Sequence, residues 1–221
     1  MCGISGIYSF TDTAESFVPC VEKSIQTLRN RGPEVQRVDC KGRVVLAHAR
    51  LAILDTSSAG TQPFTDASGR YTIIYNGEFY NYRDYYAELR ADGVNFTSSS
   101  DTEVLLYLYI KYRQCCLEKI NGFFAFAVYD SVPGPMTLVR GVETLEPGVS
   151  LFVSPSGVER NRYFSLEQSA EKKSRLSYEE AQTQLIEKLT ASVQKRLISD
   201  VPLGTFLSGG IDSSVISTIA S

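Results

Sequence analysis

The residue whose chemistry stands out first is Cys2, directly behind the initiator methionine. Methionine aminopeptidases remove Met1 when the next residue is small, and cysteine is small enough. Removal would leave a thiol and a free α-amine on the same residue. The thiolate is a strong nucleophile that needs a base, and an α-amine titrating at about 7.7–8.0 can be that base. The alternative is that a cysteine occupies position 2 by chance.

A single charge, Arg50, interrupts the long apolar run Val44–Leu54, which we predict to be extended. A charge inside such a run is costly unless it is paired. Arg50 therefore either binds a carboxylate, which its fork of donors suits, or lies on a solvent-facing side of the strand. His48 is the only histidine. A Cys–His catalytic pair would have to use it, and a packed structural role beside Arg50 is the simpler interpretation.

The dipeptide Asn76-Gly77 directly follows the β-rich run Tyr71–Tyr75. Asn-Gly is the strongest short signal for a type I′ hairpin turn, and Phe79 would then begin the returning strand. The chemical alternative is that the Asn76 amide and the Gly77 backbone N–H point at one oxygen. Two fixed donors of this kind form an oxyanion hole, and Glu78 would lie at the edge of the same site.

The elements that must position these residues follow from hydrophobic periodicity. Residues 3–10 are predicted as a buried strand behind Cys2, and Val18–Asn30 as a helix that Arg31-Gly32-Pro33 ends. Two further helices cover Tyr82–Ala91 and Thr102–Leu117. Asp101 would cap the second of these, and its carboxylate could also meet a ligand's ammonium group. The aromatic run Gly122–Asp130 is predicted as a strand buried on both faces.

Composition limits the functional classes. The chain has 221 residues, a net charge of −3 and 43% hydrophobic residues, which suits a soluble globular protein. The chain has no excess of basic residues, so nucleic acid is not the expected partner. No apolar run is long enough for a membrane span. The five cysteines are odd in number and lack a C-x-x-C spacing, which indicates a reduced cytoplasmic protein rather than a disulfide framework or zinc site.

Phosphate chemistry is suggested near the end of the sequence. Ser177 opens a capping-box helix with an apolar stripe that runs from Ala181 to Leu197 and is predicted to face a core. Leu203–Leu207 is predicted as a short buried strand, and the glycine-rich segment Ser208–Ser214 follows it. A glycine-rich turn between a strand and a helix presents backbone N–H groups to phosphate. The alternative is an ordinary strand–helix turn.

Taken in order, these motifs resemble those of class II glutamine amidotransferases, and more closely those of the glutamine-hydrolysing asparagine synthetase family. The resemblance is dense from residue 1 to about residue 130. The motifs that carry it are Met1-Cys2-Gly3-Ile4, Arg31-Gly32-Pro33, Arg50-Leu51-Ala52-Ile53, Asn76-Gly77-Glu78 with Tyr80-Asn81, and Ser100-Asp101-Thr102-Glu103.

The resemblance implies that mature Cys2 attacks the side-chain amide of glutamine, with Asn76 and Gly77 as the oxyanion hole. Arg50 would bind the α-carboxylate, and Asp101 and Glu78 the α-amine. No cofactor is implied for this hydrolysis. The implied glutamine-binding residues are Arg50, Leu51, Ala52, Ile53, Leu54, Asn76, Gly77, Glu78 and Asp101.

The segment Ser208-Gly209-Gly210-Ile211-Asp212-Ser213 is similar to the pyrophosphate loop of N-type ATP pyrophosphatases. The resemblance implies ATP and Mg²⁺ for the parent family, with Leu207 on the adenine side and Asp212 as a tentative Mg²⁺ ligand. The implied ATP-binding residues are Leu207, Ser208, Gly209, Gly210, Asp212, Ser213 and Ser214.

The predicted fold is α+β. An incomplete αββα N-terminal-nucleophile glutaminase sandwich would occupy residues 1–150, and residues 151–221 would form a linker hairpin and the first elements of an α/β ATP-pyrophosphatase domain. A block of several tens of residues that the family carries is expected to be missing near Ser131–Val132. The segment 137–148 resembles the family's entry into its synthetase domain.

The predicted parent activity is cytoplasmic asparagine synthesis from aspartate, ATP and glutamine by a homodimer. Nucleic acid and membrane are not expected as partners. Because a single strand precedes the Ser208–Ser214 loop, we expect an incomplete nucleotide pocket and no asparagine synthesis by this chain. Two alternatives are another amide- or lactam-forming amidotransferase of the same superfamily, and a catalytically dead fragment that acts by binding a full-length relative.

Overall fold

The structure is a computed structural model, and it describes residues 2–10, 12–132, 146–154, 157–166 and 176–221. Contacts divide the chain into two units, Met1–Phe164 and Ser165–Ser221. Most of the segment 137–148, which was predicted to lead into a second domain, lies outside the described residues. The described part contains both helices and strands, so the coarse mixed class is as predicted.

Three antiparallel strands form the first sheet of the first unit: β1 (Gly3–Tyr8), β2 (Val35–Lys41) and β3 (Val44–Arg50), in the order β1-β3-β2. Helix α1 (Val18–Thr27) covers one face of this sheet. Its apolar residues Val21 and Ile25 are buried there, as their spacing predicts. The strand β3 is buried throughout, but it ends at Arg50, so the predicted extension to Leu54 is wrong. The core on this face contains Ala14, Val21, Ile25, Val45, Ala47 and Ala49.

The second sheet has the order β4-β5-β6 and is also antiparallel, with β4 at Phe64–Thr65, β5 at Tyr71–Phe79 and β6 at Gly122–Asp130. Strand β5 continues through Asn76 and Gly77, which pair with Ala125 and Phe124 of β6. The predicted hairpin turn is therefore wrong, because pairing along the whole of β6 overrides the local preference of Asn-Gly.

Helices lie beside the second sheet. A 3₁₀ turn at Tyr82–Tyr85 leads into α2 (Tyr86–Ala91), and α3 (Asp101–Tyr112) packs on β5. Ser100 is the N-cap of α3, since its side chain accepts the Glu103 N–H. The predicted capping role of Asp101 is therefore wrong, and its carboxylate is available elsewhere. Beyond Tyr112 the predicted helix gives way to a 3₁₀ segment, Arg113–Lys119.

The two sheets face each other through the side of β3 that α1 does not cover. Val44, Leu46 and Ile74 form a buried cluster there. Because side chains alternate along a strand, His48 shares this face with Leu46, as does Arg50. Strand β6 alternates in exposure, and its Phe123 is 60% exposed. The prediction that this strand is buried on both faces is wrong.

A hairpin completes the described part of the first unit, as predicted. It pairs β7 (Val149–Ser154) with β8 (Gly157–Arg162). The predicted domain boundary at 150/151 falls inside β7, whereas the contacts keep both strands in the first unit.

The second unit contains α4 (Tyr178–Arg196), which begins with the predicted Ser177–Glu180 capping box. The predicted core stripe of this helix is only partly buried, since Val193 is 7% exposed but Leu185 is 65% exposed. Helix α5 (Ile211–Ala220) contacts α4. No helix within the described ranges has both the length and the apolar character that a membrane crossing requires.

The predicted buried strand Leu203–Leu207 is absent from the structure. Its residues have no strand geometry, and Phe206 is fully exposed. An isolated strand leaves its backbone groups unpaired, and the described part of the second unit offers no sheet for it to join.

Gly32 provides a test of this packing. A Cβ at Gly32 would lie 2.1 Å from the Ala49 carbonyl oxygen on β3. We expect Gly32→Ala to lower the free energy of unfolding by about 1–3 kcal/mol, because the backbone must move to relieve this overlap. Thermal and urea unfolding measure the change. Gly204→Ala is the control, since a Cβ there meets nothing within 4 Å, and an equal loss in both variants would contradict the assignment.

Candidate active site

Cys2 lines a small pocket between the two sheets. Its Sγ accepts a hydrogen bond from the Leu51 N–H at 3.4 Å and lies 3.5 Å from the Leu51 carbonyl oxygen. Eight predicted site residues line this pocket, whereas the predicted residues Ala52 and Asn76 are not among its lining. The eight are Cys2, Arg50, Leu51, Ile53, Leu54, Gly77, Glu78 and Asp101.

The Cys2 thiol needs a base in this environment. Burial raises the pKa of Cys2, and the hydrogen bond from Leu51 only partly opposes that effect. The thiol is therefore mainly protonated at neutral pH. His48 makes no hydrogen bond to the Cys2 thiol within the described residues, and its Nε2 bonds to the Tyr75 carbonyl oxygen at 3.1 Å.

The segment that follows α1 makes hydrogen bonds both to Cys2 and to the backbone after β3. Arg31 Nε donates to the Cys2 carbonyl oxygen at 3.1 Å, and the Glu34 carboxylate accepts the Ala52 N–H at 3.1 and 3.2 Å. Gly32 permits the close approach to β3 that both contacts need. Sequence reasoning treated Arg31-Gly32-Pro33 as a helix stop and as a family motif, and it missed Glu34, whose partner is a backbone atom distant in sequence.

Arg50 is buried, with 5% of its surface exposed, so the solvent-facing interpretation is wrong. Its Nη1 donates to the Ser57 carbonyl oxygen at 2.6 Å and to Thr61 Oγ1 at 3.4 Å, and its Nη2 donates to the Asp55 carbonyl oxygen. A guanidinium has five N–H donors. The Nε–H and one Nη2–H therefore have no partner among the described residues, and they can receive a carboxylate.

The free edge of β5 supplies the backbone donor of the pocket. Tyr71 and Ile73 turn their backbone groups toward β4. Because this direction alternates along an antiparallel strand, Tyr75, Gly77 and Phe79 point the same way, beyond the end of β4. Side chains replace the missing strand at both ends of this stretch.

Tyr75 N–H donates to Gln62 Oε1 at 2.6 Å, and Phe79 N–H donates to Asp101 Oδ2 at 3.1 Å. Between them, the Gly77 N–H has no partner in the described part of the chain. A Cβ at Gly77 would lie 2.4 Å from the Phe123 carbonyl oxygen, so only glycine fits here. Gly77 therefore offers a fixed, unsatisfied donor to the pocket.

Two carboxyl groups face the same space. Burial raises the pKa of Asp101 to about 7, and the nearby Glu78 adds to the increase, while hydrogen bonds from Phe79 and Tyr75 oppose it. Burial also raises the pKa of Glu78. A ligand ammonium group would stabilise both ionised carboxylates. With the free donors of Arg50 nearby, the pocket suits an α-amino acid zwitterion.

Two buried side-chain acceptors in this region, His48 Nδ1 and Asn76 Oδ1, have no partner in the described structure. Asn76 is half-buried on β5, one residue before the free Gly77 N–H. Sequence reasoning named Asn76 from its motif, but it missed Gln62 and Tyr75, since neither belongs to a recognisable pattern.

The predicted ATP-binding residues lie in the second unit. Residues 207–210 form an exposed loop before α5, and Asp212 is exposed in the first turn of that helix. Ser208 Oγ and Ser213 Oγ are 2.9 Å apart. Within the described ranges no three His, Cys, Asp or Glu side chains form a group that could hold a metal ion, so Asp212 stands alone as a candidate ligand.

Comparison with family models gives two matches. A model described as a glutamine amidotransferase domain matches residues 1–196. A model described as asparagine synthase matches residues 184–221.

Curated relatives match the whole chain but extend well beyond it. Asparagine synthetase [glutamine-hydrolyzing] 3 of Bacillus subtilis is 31% identical over 282 residues, which cover 100% of this chain and 45% of the relative. Asparagine synthetase B of Escherichia coli is 32% identical over 257 residues, covering 99% and 44%. The chain thus spans less than half the length of these relatives.

One solved structure is also similar, the glutamine phosphoribosylpyrophosphate amidotransferase from B. subtilis. It is 21% identical and covers 57% of this chain and 36% of its own, with a TM-score of 0.44. A similarity of this size does not establish a shared fold.

The buried carboxyl of Asp101 predicts a specific pH dependence of stability. Its folded pKa of about 7 exceeds the usual unfolded value of about 3.9, so the folded state binds this proton more tightly. The contribution of Asp101 to the free energy of unfolding therefore falls as pH rises from about 4 to 7. We expect Asp101→Asn to gain stability relative to wild type over this window, by about 2–4 kcal/mol in total.

Urea unfolding at pH 5, 6, 7 and 8 measures this difference, with Asp12→Asn at an exposed position as the control. A difference between Asp101→Asn and wild type that stays constant or shrinks as pH rises would show that Asp101 is not held in this environment.

Proposed function

The chain belongs to the glutamine amidotransferase domain family, and from that membership we propose that mature Cys2 hydrolyses the side-chain amide of glutamine. One observation carries the proposal. A pocket between the sheets brings the thiol together with the Arg50 guanidinium, the Asp101 carboxyl and the unsatisfied Gly77 N–H. These groups lie 48, 99 and 75 positions from Cys2 in sequence, and a structural role alone does not require them to converge.

The proposed mechanism begins with loss of Met1. The freed α-amine of Cys2 takes the thiol proton, and the thiolate attacks the side-chain amide carbon of glutamine. The Gly77 N–H and the Asn76 amide would stabilise the oxyanion of the tetrahedral intermediate. Its collapse breaks the C–N bond, and the proton held by the α-amine leaves with ammonia. Water then hydrolyses the thioester, which yields glutamate and restores the thiol.

Glutamine recognition uses the charged wall of the pocket. The α-carboxylate would accept the free Nε–H and Nη2–H of Arg50, a bidentate arrangement that suits a guanidinium. The α-ammonium would pair with Asp101 and Glu78, whose raised pKa values it would lower again. The backbone from Leu51 to Leu54 would line the side-chain end.

The architecture supports a more specific fold proposal. Helix α1 packs on the first sheet and α3 on β5 of the second, while β1 and β3 contact β5 between them. This layering fits an αββα N-terminal-nucleophile sandwich. Alignment to the B. subtilis relative extends over 282 residues, more than the 221 of this chain, which supports the proposal that the relative carries several tens of residues that this chain lacks.

For the whole protein we propose asparagine synthesis, with the released ammonia used in ATP-dependent amidation of aspartate in the cytoplasm by a homodimer. The names of the relatives and the asparagine synthase match to residues 184–221 support the asparagine synthesis. Backbone N–H groups at the start of a helix such as α5 are the type of donor that binds phosphate. Residues 208–214 would hold ATP, and Asp212 would contribute one oxygen ligand to Mg²⁺.

The decisive measurement is glutamate production from glutamine by the purified chain. We expect Cys2→Ala to abolish it completely, because no other group replaces the nucleophile. Cys20→Ala, at an exposed cysteine, should retain full activity. Intact-mass measurement should show that the active protein lacks Met1.

An active protein that keeps Met1 would refute the proposal that the α-amine of Cys2 is the base. Failure of the correctly folded, Met1-free wild type to hydrolyse glutamine would instead favour the catalytically dead, binding-only alternative.

Separate roles for Arg50 and Asn76 predict different kinetic changes. Arg50→Ala should raise KM, because it removes a ground-state contact to the carboxylate. It should also destabilise the loop that Arg50 holds at Asp55 and Ser57. Asn76→Ala should lower kcat by about 10²–10³ with little change in KM, since its donor acts on the transition state. Steady-state kinetics distinguish the two, and a change in KM alone for Asn76→Ala would refute its assignment.

A further inference from the structure

We infer that His48 is a positioning residue for the proposed oxyanion hole, acting through the Tyr75 backbone and making no contact with the reacting atoms. The inference rests on the proposed function. It concerns what sets the spacing between the nucleophile on one sheet and the oxyanion donors on the other.

His48 lies at the centre of this spacing. On the first sheet it pairs with Ile4 of β1, two residues from Cys2. Across the gap, its Nε2 is 3.1 Å from the carbonyl oxygen of Tyr75, two residues from Gly77. A short polar connection thus joins the strand that carries the thiol to the strand that carries the oxyanion donors.

The position of the contact explains why a side chain makes it. Strand β4 begins at Phe64, opposite Ile73, so no strand in the described part of the chain pairs with the Tyr75 carbonyl on this edge of β5. Gln62 Oε1 accepts a hydrogen bond from the Tyr75 N–H, and His48 Nε2 donates one to the Tyr75 carbonyl oxygen. The peptide that leads into Asn76 and Gly77 pairs with β6 on one edge of β5 and is held by His48 at its carbonyl on the other. Loss of the His48 bond removes the second support, so the oxyanion donors can shift.

The contact fixes the state of the ring. A carbonyl oxygen only accepts, so Nε2 must carry the proton, and the neutral ring then leaves Nδ1 as an unprotonated acceptor. Nδ1 is buried without a partner in the described structure. Burial lowers the pKa of His48 to about 4, in agreement with a ring that acts as a neutral donor and does not exchange protons.

Two variants separate positioning from packing. His48→Phe fills the space but removes the donor, whereas His48→Gln keeps an N–H at a similar reach from the backbone. The probes are L-glutamate γ-semialdehyde, whose aldehyde adds to a thiol to give a tetrahedral adduct, and L-glutamate, which stays non-covalent. Only the adduct places the oxygen of a tetrahedral, thiol-bonded carbon in the oxyanion hole, so this comparison needs no turnover.

We expect His48→Phe to weaken binding of the semialdehyde by about 10–100-fold, because the oxyanion hole would be misplaced. The same variant should change the binding of glutamate by less than about threefold. His48→Gln should recover most of the loss. Equal weakening of both ligands, unchanged semialdehyde binding, or no recovery by His48→Gln would overturn the inference.

Failure of the proposed function has a different signature. In that case the wild type itself would bind the semialdehyde no better than it binds glutamate, and the inference would fall with it. A second readout uses the fact that His48 is the only histidine. Nitrogen-15 spectra of histidine-labelled protein should show a single neutral ring, protonated at Nε2, from pH 5.5 to 8. A ring protonated at Nδ1, or one that titrates in this range, would overturn the inference.

Discussion

An unpaired strand edge is the constraint on which the site depends. Strand β5 has nine residues, but β4 pairs with only two of them. Backbone groups left beyond β4 must find partners, because a buried unsatisfied amide is costly. Gln62, His48 and Asp101 meet this need from three separate parts of the chain. In the described structure they leave the Gly77 N–H without a partner, at a position where only glycine fits.

The charged groups of the pocket carry a cost that the rest of the unit must offset. Arg50 is buried and commits three of its donors to the loop at Asp55, Ser57 and Thr61. Burial, with a further contribution from the nearby Glu78, raises the pKa of Asp101 to about 7. An arrangement that destabilises its own carboxylate is difficult to explain by folding alone, and it is typical of sites that await a ligand.

Sequence reasoning located the residues that line the pocket better than the strands and helices around them. A lone charge in an apolar run indicated Arg50, because the cost of burial applies wherever the strand lies. Asn76-Gly77 misled, since local turn preference says nothing of the strand that later pairs with it. Asp101 was assigned as a cap although Ser100 takes that role. Glu34 and Gln62 were missed because their partners are backbone atoms far away in sequence.

The contrast between the units shows what an apolar pattern can predict. In the first unit, α1 was correctly predicted to be amphipathic, and β3 supplies the surface that buries it. In the second unit, α4 has a comparable stripe, yet Leu185 is mostly exposed, and Leu203–Leu207 forms no strand. Periodicity states that a face is suited to burial, whereas the partner that buries it is a separate fact about the fold. The Cys2 pocket could be predicted in outline because its motifs name charged and polar groups, whose requirements for partners are specific.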